Sequence, residues 1–148
     1  MATLLVVHHS PTPRTLEIAQ AALEGTRLEG LEDVTVVERN ALEATIDDVL
    51  AADGYLLGSS VHFGYLSGAL KHFFDTTFNA THEATKGRPF SYWLHGSYDS
   101  TGAEIAMQQI TTGYGWKLCA DPLVFLGEFT AEMRNAATEL GATVAASC

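Results

Sequence analysis

The sequence has 148 residues and a mass of 15.9 kDa, and its 47% hydrophobic and 18% charged residues supply enough apolar material for the core of a single domain over residues 1–148. Eight Lys and Arg residues against 18 Asp and Glu residues give a net charge of −10, which disfavours binding to nucleic acid or to an anionic membrane. No apolar run resembles a transmembrane helix or a signal peptide, and two cysteines are too few for a disulfide framework, so we expect a cytoplasmic protein.

The first half of the chain alternates apolar runs of strand length with helical patterns. Residues 4–7 predict a strand, and residues 16–23 predict a helix with Leu16, Ala19 and Leu23 on one face. A second strand is predicted at 34–37. A short helix follows at about 45–52, because a Thr-x-x-Asp capping box opens it.

The second half continues this alternation. Its predicted elements are, in order, a strand at 55–58, a helix from about 67, a strand at 90–94, a helix at about 101–112, a broken strand between 116 and 126, and a helix from about 130. Five strands separated by helices predict an α/β protein with a doubly wound parallel sheet. Ligands of such sheets lie beyond the carboxyl ends of the strands.

Three predicted loops at that edge are rich in chemically useful side chains: residues 10–15, 59–65 and 95–99. The first offers hydroxyl groups at Ser10, Thr12 and Thr15 directly before a helix, where free N–H groups and the helix dipole favour a phosphate. Thr12 fits the N-cap position. An ordinary helix start explains the same residues equally well, and Arg14 either adds positive charge or lies on the surface.

The other two loops combine planar side chains with small ones. His62, Phe63, Tyr65 and Tyr98 are suited to flanking a flat aromatic ligand, although some of them can instead complete the core. Several histidines occur near the same strand ends. We predict no metal site, because Asp99 is the only carboxylate among them and adjacent strand residues such as His8 and His9 point to opposite faces.

Several other nucleotide and phosphate folds are excluded by the first loop. It has neither the Gly-x-Gly-x-x-Gly pattern of a dinucleotide site nor a P-loop. The carboxylates of a receiver domain are missing at the ends of the first and third strands. The Cys-x5-Arg pattern of low-molecular-weight tyrosine phosphatases is met at Arg14, but His8 stands in place of the nucleophilic cysteine.

The three loops together resemble those of the flavodoxin-like FMN-binding proteins, which include flavodoxins and NAD(P)H-dependent FMN or quinone reductases. Residues 10–15 are similar to the phosphate loop Ser/Thr-x-Thr-Gly-x-Thr, with Pro13 in place of the glycine. Residues 58–71 are similar to the reductase segment Gly-Thr-Pro-x-x-Phe-Gly-Asn-x-Ser-Gly-x-x-Lys, with Tyr65 in place of the asparagine. This resemblance covers essentially the whole chain. It implies a three-layer sandwich with a five-stranded parallel sheet of order 2-1-3-4-5.

The resemblance also implies an FMN site and a function. The residues it assigns to FMN are Ser10, Thr12, Arg14, Thr15, Ser59, Ser60, Val61, His62, Phe63, Gly64, His95, Gly96, Ser97, Tyr98 and Asp99. We expect an FMN oxidoreductase that takes electrons from NAD(P)H as co-substrate and passes them to a quinone, a flavin or a similar acceptor. A flavodoxin-type electron carrier that serves redox proteins and a cofactor-free binding module remain alternatives. The resemblance assigns no catalytic residue, and the oligomeric state is left open.

Overall fold

The computed structural model describes residues 1–148. Its strands are β1 (Ala2–His9), β2 (Val34–Asn40), β3 (Gly54–His62), β4 (Tyr65–Leu66), β5 (Pro89–Gly96), β6 (Lys117–Leu118) and β7 (Leu123–Leu126). Its helices are α1 (Pro13–Thr26), α2 (Ile46–Ala51), α3 (Gly68–Thr81), α4 (Thr101–Tyr114) and α5 (Ala131–Ala146). None of these helices is both long enough and apolar enough to cross a membrane.

The main sheet is parallel, in the order β2-β1-β3-β5-β6. The predicted fifth strand is indeed broken, because β6 pairs with the start of β5 and β7 pairs with its carboxyl end. The sequence did not predict β4, which forms a two-residue antiparallel hairpin with β3. The expected three-layer fold is confirmed. The predicted strand order 2-1-3-4-5 becomes β2-β1-β3-β5-β6 because the additional strand β4 shifts the numbers of the strands that follow it.

The sheet separates two hydrophobic cores. Side chains alternate along a strand, so Leu4 and Val6 of β1 face α1 and α5, whereas Leu5 and Val7 face the layer that contains α3 and α4. All four side chains are fully buried. Near-continuous apolar runs of this kind are expected for parallel strands covered on both sides.

The buried face of α1 agrees with the prediction at Ala19 and Leu23 and differs from it at Leu16. Leu16 is 42% exposed, whereas Ile18, Ala19 and Ala22 are fully buried against the sheet and α5. The small residues of α1 face α5 because the two helices pack closely. Ile18 and Ala22 extend the buried face, and Leu16 lies outside it.

Two of the predicted loops begin later than expected. Ser59, Ser60, Val61 and His62 lie on β3, where Ser59 and Ser60 are in register with Leu94 and His95 of β5. Consequently His95 and Gly96 also belong to a strand. Their polar side chains predict a loop, but backbone pairing between β3 and β5 extends both strands through these residues. Paired strands hold the carboxyl edge of the sheet more rigidly than loops would.

Candidate functional site

A cleft of about 490 Å³ opens at the carboxyl edge of the sheet. Its walls combine the start of α1 with the ends of β3 and β5: Thr12, Pro13, Arg14, Thr15, Ser60, Val61, His95, Gly96 and Ser97. We call it the first cleft. The sequence placed these three segments at one edge of the sheet, and the structure brings them together. The walls hold four hydroxyl groups and a guanidinium group but no carboxylate, so they suit an anion.

The start of α1 is closed by a reciprocal capping box, which confirms Thr12 as N-cap. The Thr15 N–H donates to Thr12 Oγ1 over 3.2 Å, and the Thr12 N–H donates to Thr15 Oγ1 over 3.0 Å. Pro13 occupies the first helical position and has no N–H. The N–H of Arg14 is therefore the backbone donor in this turn that remains free for a ligand.

A second cleft of about 300 Å³ adjoins the first and shares Val61 and Ser97 with it. Its walls are Val61, His62, Phe63, Gly64, Ser97, Tyr98 and Asp99. Phe63 is fully exposed, and Tyr98 is 85% exposed. Two aromatic rings thus flank an open slot beside the hydroxyl-lined first cleft.

The turn between β3 and β4 holds Phe63 in an unusual backbone conformation. Its φ angle is +53°, and that of Gly64 is +74°, as in the two-residue hairpin turns that require positive φ at both positions. A phenylalanine with positive φ is strained, and such strain is concentrated at functional sites. Gly102 of α4 supports the turn, because a Cβ there would lie 2.7 Å from the carbonyl oxygen of Gly64.

Two predicted site residues do not reach either cleft. Ser59 is buried; its Oγ donates to the carbonyl of Ser60 and accepts from the N–H of Ser67. Ser10 hydrogen-bonds His8 through its Oγ. The cause for Ser59 is strand alternation, which directs its side chain toward the start of α3 when that of Ser60 faces the first cleft.

Two further predicted residues line the clefts but are held by structural bonds. His95 Nε2 donates to the carbonyl of Gly127 over 2.8 Å. Asp99 accepts from the N–H and the hydroxyl of Thr101 at the start of α4, and these two bonds lower the pKa of Asp99. We therefore regard His95 and Asp99 as residues that shape the walls.

His9 and His62 lie side by side between the ends of β1 and β3, with ring centroids 6.3 Å apart. His62 Nε2 is 2.7 Å from the Ser60 hydroxyl, whereas His9 Nδ1 is buried without a partner. Burial, followed by repulsion from His62 and His8, lowers the pKa of His9. His9 is therefore neutral near pH 7, and no group of three or more acidic, histidine or cysteine side chains is arranged to hold a metal ion.

One chain of polar contacts has no counterpart in the patterns of the sequence. His8 is bonded through Nε2 to Glu38 Oε2 of β2 and through Nδ1 to Ser10 Oγ, both over 2.8 Å. Only the register between β1 and β2, which pairs Val6 with Glu38 and His8 with Asn40, brings Glu38 within reach. No local sequence signal marks this pairing.

This fold, with its ligand clefts at the carboxyl edge of the sheet, defines the flavodoxin-like class. Residues 8–144 match the family described as NADPH-dependent FMN reductase. The chain belongs to this flavodoxin-like, FMN-binding family.

Similar proteins agree with the fold. A flavodoxin of Aquifex aeolicus is 31% identical over 112 residues, which are 76% of this chain and 60% of the flavodoxin, so the chain spans only part of that relative. A Streptococcus pneumonia flavodoxin structure superposes with a TM-score of 0.82 at 17% identity, covering 99% of this chain and all of that one. An archaeal flavodoxin structure gives 0.81 at 20% identity, covering 97% and 96% of the two chains.

Proposed function

We propose that FMN binds across the two clefts, with its phosphate at the start of α1 and its ring system beside the hairpin turn. The donor set of the first cleft supports the phosphate position, because Thr12, Arg14 and Ser97 supply hydroxyl and cationic groups. The second cleft supports the ring position, because Phe63 and Tyr98 can cover a flat aromatic system. Thr15 and Ser60 complete the polar wall between these positions.

We expect FMN rather than FAD. The phosphate site lies at the start of one helix, and the chain carries no dinucleotide-binding fingerprint that would accept a second nucleotide. Cofactor released by heating the purified protein should therefore co-chromatograph with FMN. Released FAD, or an apoprotein that fails to bind added FMN at micromolar concentration, would contradict this expectation.

We further propose that NAD(P)H delivers electrons at this site and that a quinone, a flavin or a similar small acceptor removes them. When bound, FMN supplies the redox chemistry. The exposure of Phe63 and Tyr98 carries this proposal, since a flavin ring beside these two residues would lie at the protein surface, where a second planar molecule can reach it. Membership of the reductase family supports the same function.

Direct reduction by a nicotinamide nucleotide tests the activity. Anaerobic mixing of the FMN-loaded protein with NADPH or NADH should bleach the flavin absorbance within seconds, in keeping with ordinary turnover numbers of about 1 to 1000 per second. Phe63→Ala should slow this bleaching, because the open slot loses one wall. A flavin that stays oxidised with both nucleotides would contradict the proposal.

A flavodoxin-type electron carrier is the second candidate. It is favoured by the 31% identity to the Aquifex aeolicus flavodoxin and by the net charge of −10, which suits docking to a basic redox protein. A carrier would stay oxidised in the nucleotide experiment and become reduced only when a separate reductase is added. The same experiment therefore separates the two candidates.

A further inference from the structure

The second cleft carries a fixed negative charge and no fixed positive one. Asp99 is the only Asp, Glu, Lys or Arg among the seven residues that line it. The two bonds that Asp99 accepts from Thr101 lower its pKa, so its carboxyl group is ionised at neutral pH. A molecule that enters the open slot therefore meets a carboxylate.

The start of α4, beside this cleft, offers no replacement for a cation. A free helix start attracts anions through its unpaired N–H groups and its dipole. Here Asp99 Oδ1 already accepts from the N–H of Thr101 over 3.1 Å, and Glu104 lies in the first turn, where its Oε2 accepts from the Ser100 hydroxyl over 2.8 Å. An anion at this helix start would lie next to two carboxylates of the protein.

Half of the positive charges of the chain are committed to other partners. The sequence has eight Lys and Arg residues, and of these only Arg14 lines the first or the second cleft. The proposed FMN phosphate takes Arg14. Three more are held by carboxylates in ion pairs, namely Arg39 with Asp48, Lys71 with Asp75 and Arg134 with Glu17.

The other four positive charges lie away from the two clefts. Lys86 and Arg88 precede β5, and Lys117 begins β6, so all three lie at the amino edge of the sheet, opposite the clefts. Arg27 follows α1 and lines a surface groove together with Glu24 and Glu38. No Lys or Arg of the chain is therefore free to meet a second phosphate group beside the open slot.

The two nicotinamide donors differ only in such a phosphate group. NADH and NADPH give up the same hydride, which carries two electrons and one proton, and each leaves as its oxidised nucleotide. NADPH has in addition a phosphate on the 2′-oxygen of its adenosine ribose, which adds about −1.5 to −2 charges at pH 7. Proteins that accept this phosphate commonly place an Arg beside it.

We propose, on the basis of the proposed NAD(P)H activity, that this chain selects NADH over NADPH and that Asp99 is a specificity-determining residue. The selection works by rejection, because the additional phosphate finds no free cation and is repelled by a carboxylate of the cleft wall. The net charge of −10 acts in the same direction at longer range. The family description names NADPH, so this chain would differ from it in its electron donor.

Anaerobic stopped-flow reduction of the FMN-loaded full chain tests this selection. The measurement is made at about pH 8, where imidazole is neutral. At about 0.01 M ionic strength, where the Debye length is about 30 Å, the second-order rate constant for flavin reduction should be about tenfold or more higher with NADH than with NADPH. At about 1 M, where the Debye length is about 3 Å, this ratio should fall to about threefold or less.

Binding is measured separately from reduction. Tetrahydro analogues of NADH and NADPH cannot donate a hydride, so titration of the oxidised protein with them, followed by flavin absorbance, reports affinity alone. At low ionic strength the analogue of NADPH should have a Kd about tenfold or more above that of the analogue of NADH.

Two variants separate the local charge from the net charge. Asp99→Asn keeps an acceptor for Thr101 and removes the negative charge, so it should lower the NADH to NADPH ratio about threefold or more, chiefly by faster reduction with NADPH. Asp33→Asn is the matched control, because it removes one exposed negative charge directly before β2, at the amino edge of the sheet. It should leave the ratio unchanged.

The possible outcomes distinguish this selection from the proposed function. Reduction by NADPH as fast as by NADH, or a ratio in Asp99→Asn equal to that of the wild type, would overturn the role of Asp99 while the NAD(P)H activity stands. A flavin that stays oxidised with both nucleotides would instead overturn the NAD(P)H activity, and the selection with it.

Discussion

Replacing Thr12 by aspartate should weaken FMN binding by about 100-fold or more while leaving the stability of the protein unchanged or slightly higher. Aspartate is as good an N-cap as threonine or better, and its charge is favourable at the start of a helix. The same carboxylate would face the FMN phosphate in the first cleft, where two unit charges about 4 Å apart repel by about 4 kcal/mol near a protein surface. About 2.8 kcal/mol of this repulsion already corresponds to a 100-fold loss of affinity.

Fluorescence titration with FMN and thermal unfolding of the apoprotein together measure this effect. Thr12→Asn is the matched control, because it keeps the cap without the charge and should bind FMN far better than Thr12→Asp. Thr12→Ala should lose about 1 kcal/mol of stability with the cap, and some FMN affinity with the hydroxyl. Riboflavin should bind all three variants alike. Unchanged FMN affinity in Thr12→Asp would place the phosphate elsewhere.

The second large effect concerns the packing of α1 on α5. Gly141→Ala should destabilise the protein by about 3 kcal/mol, because a Cβ at Gly141 would overlap the carbonyl oxygen of Ala22 in the facing backbone. Gly25 meets the backbone of Thr138 in the same way from the other helix. Neither contact can be relieved by rotating a side chain, so the helices must separate. In a protein of this size the melting temperature should fall by roughly 10 °C.

Gly113→Ala provides the control for this prediction. Gly113 is also helical, but a Cβ there would lie 3.6 Å from the nearest atom, on the Phe78 ring, which is an ordinary contact. Alanine favours a helix over glycine by up to about 1 kcal/mol, so the same substitution should stabilise here. Urea unfolding of both variants measures the change in the free energy of unfolding, which should be a loss for Gly141→Ala and a gain for Gly113→Ala. A stabilised Gly141→Ala variant would show that α1 and α5 are further apart than described.

Local patterns in the sequence were sufficient for the order and type of the main elements. Strand-length apolar runs predict buried parallel strands, and the broken run after Trp116 predicts the split into β6 and β7. Caps are equally local, because the donor and acceptor of the box at Thr12 and Thr15 are three residues apart. The resemblance to FMN-binding proteins likewise depended on short contiguous segments.

Features that depend on pairing between distant residues could not be predicted in this way. The hairpin of β3 with β4, which lifts Phe63 into solvent, has too few residues to show a strand pattern. The burial of Ser59 depends on the extension of β3 as far as His62. Because successive side chains of a strand point to opposite faces, this extension directs Ser59 toward Ser67 and away from the cleft.

What the sequence by itself determined is the set of elements, the capped start of α1 and the family of the chain, because each is encoded in contiguous residues. The tertiary structure alone decided which side chains meet. Glu38 reaches His8 across 30 positions only through the register of β1 and β2, and the other nitrogen of the His8 ring is bonded to Ser10. Register is set by the packing of both sheet faces at once, and no local window of sequence contains that information.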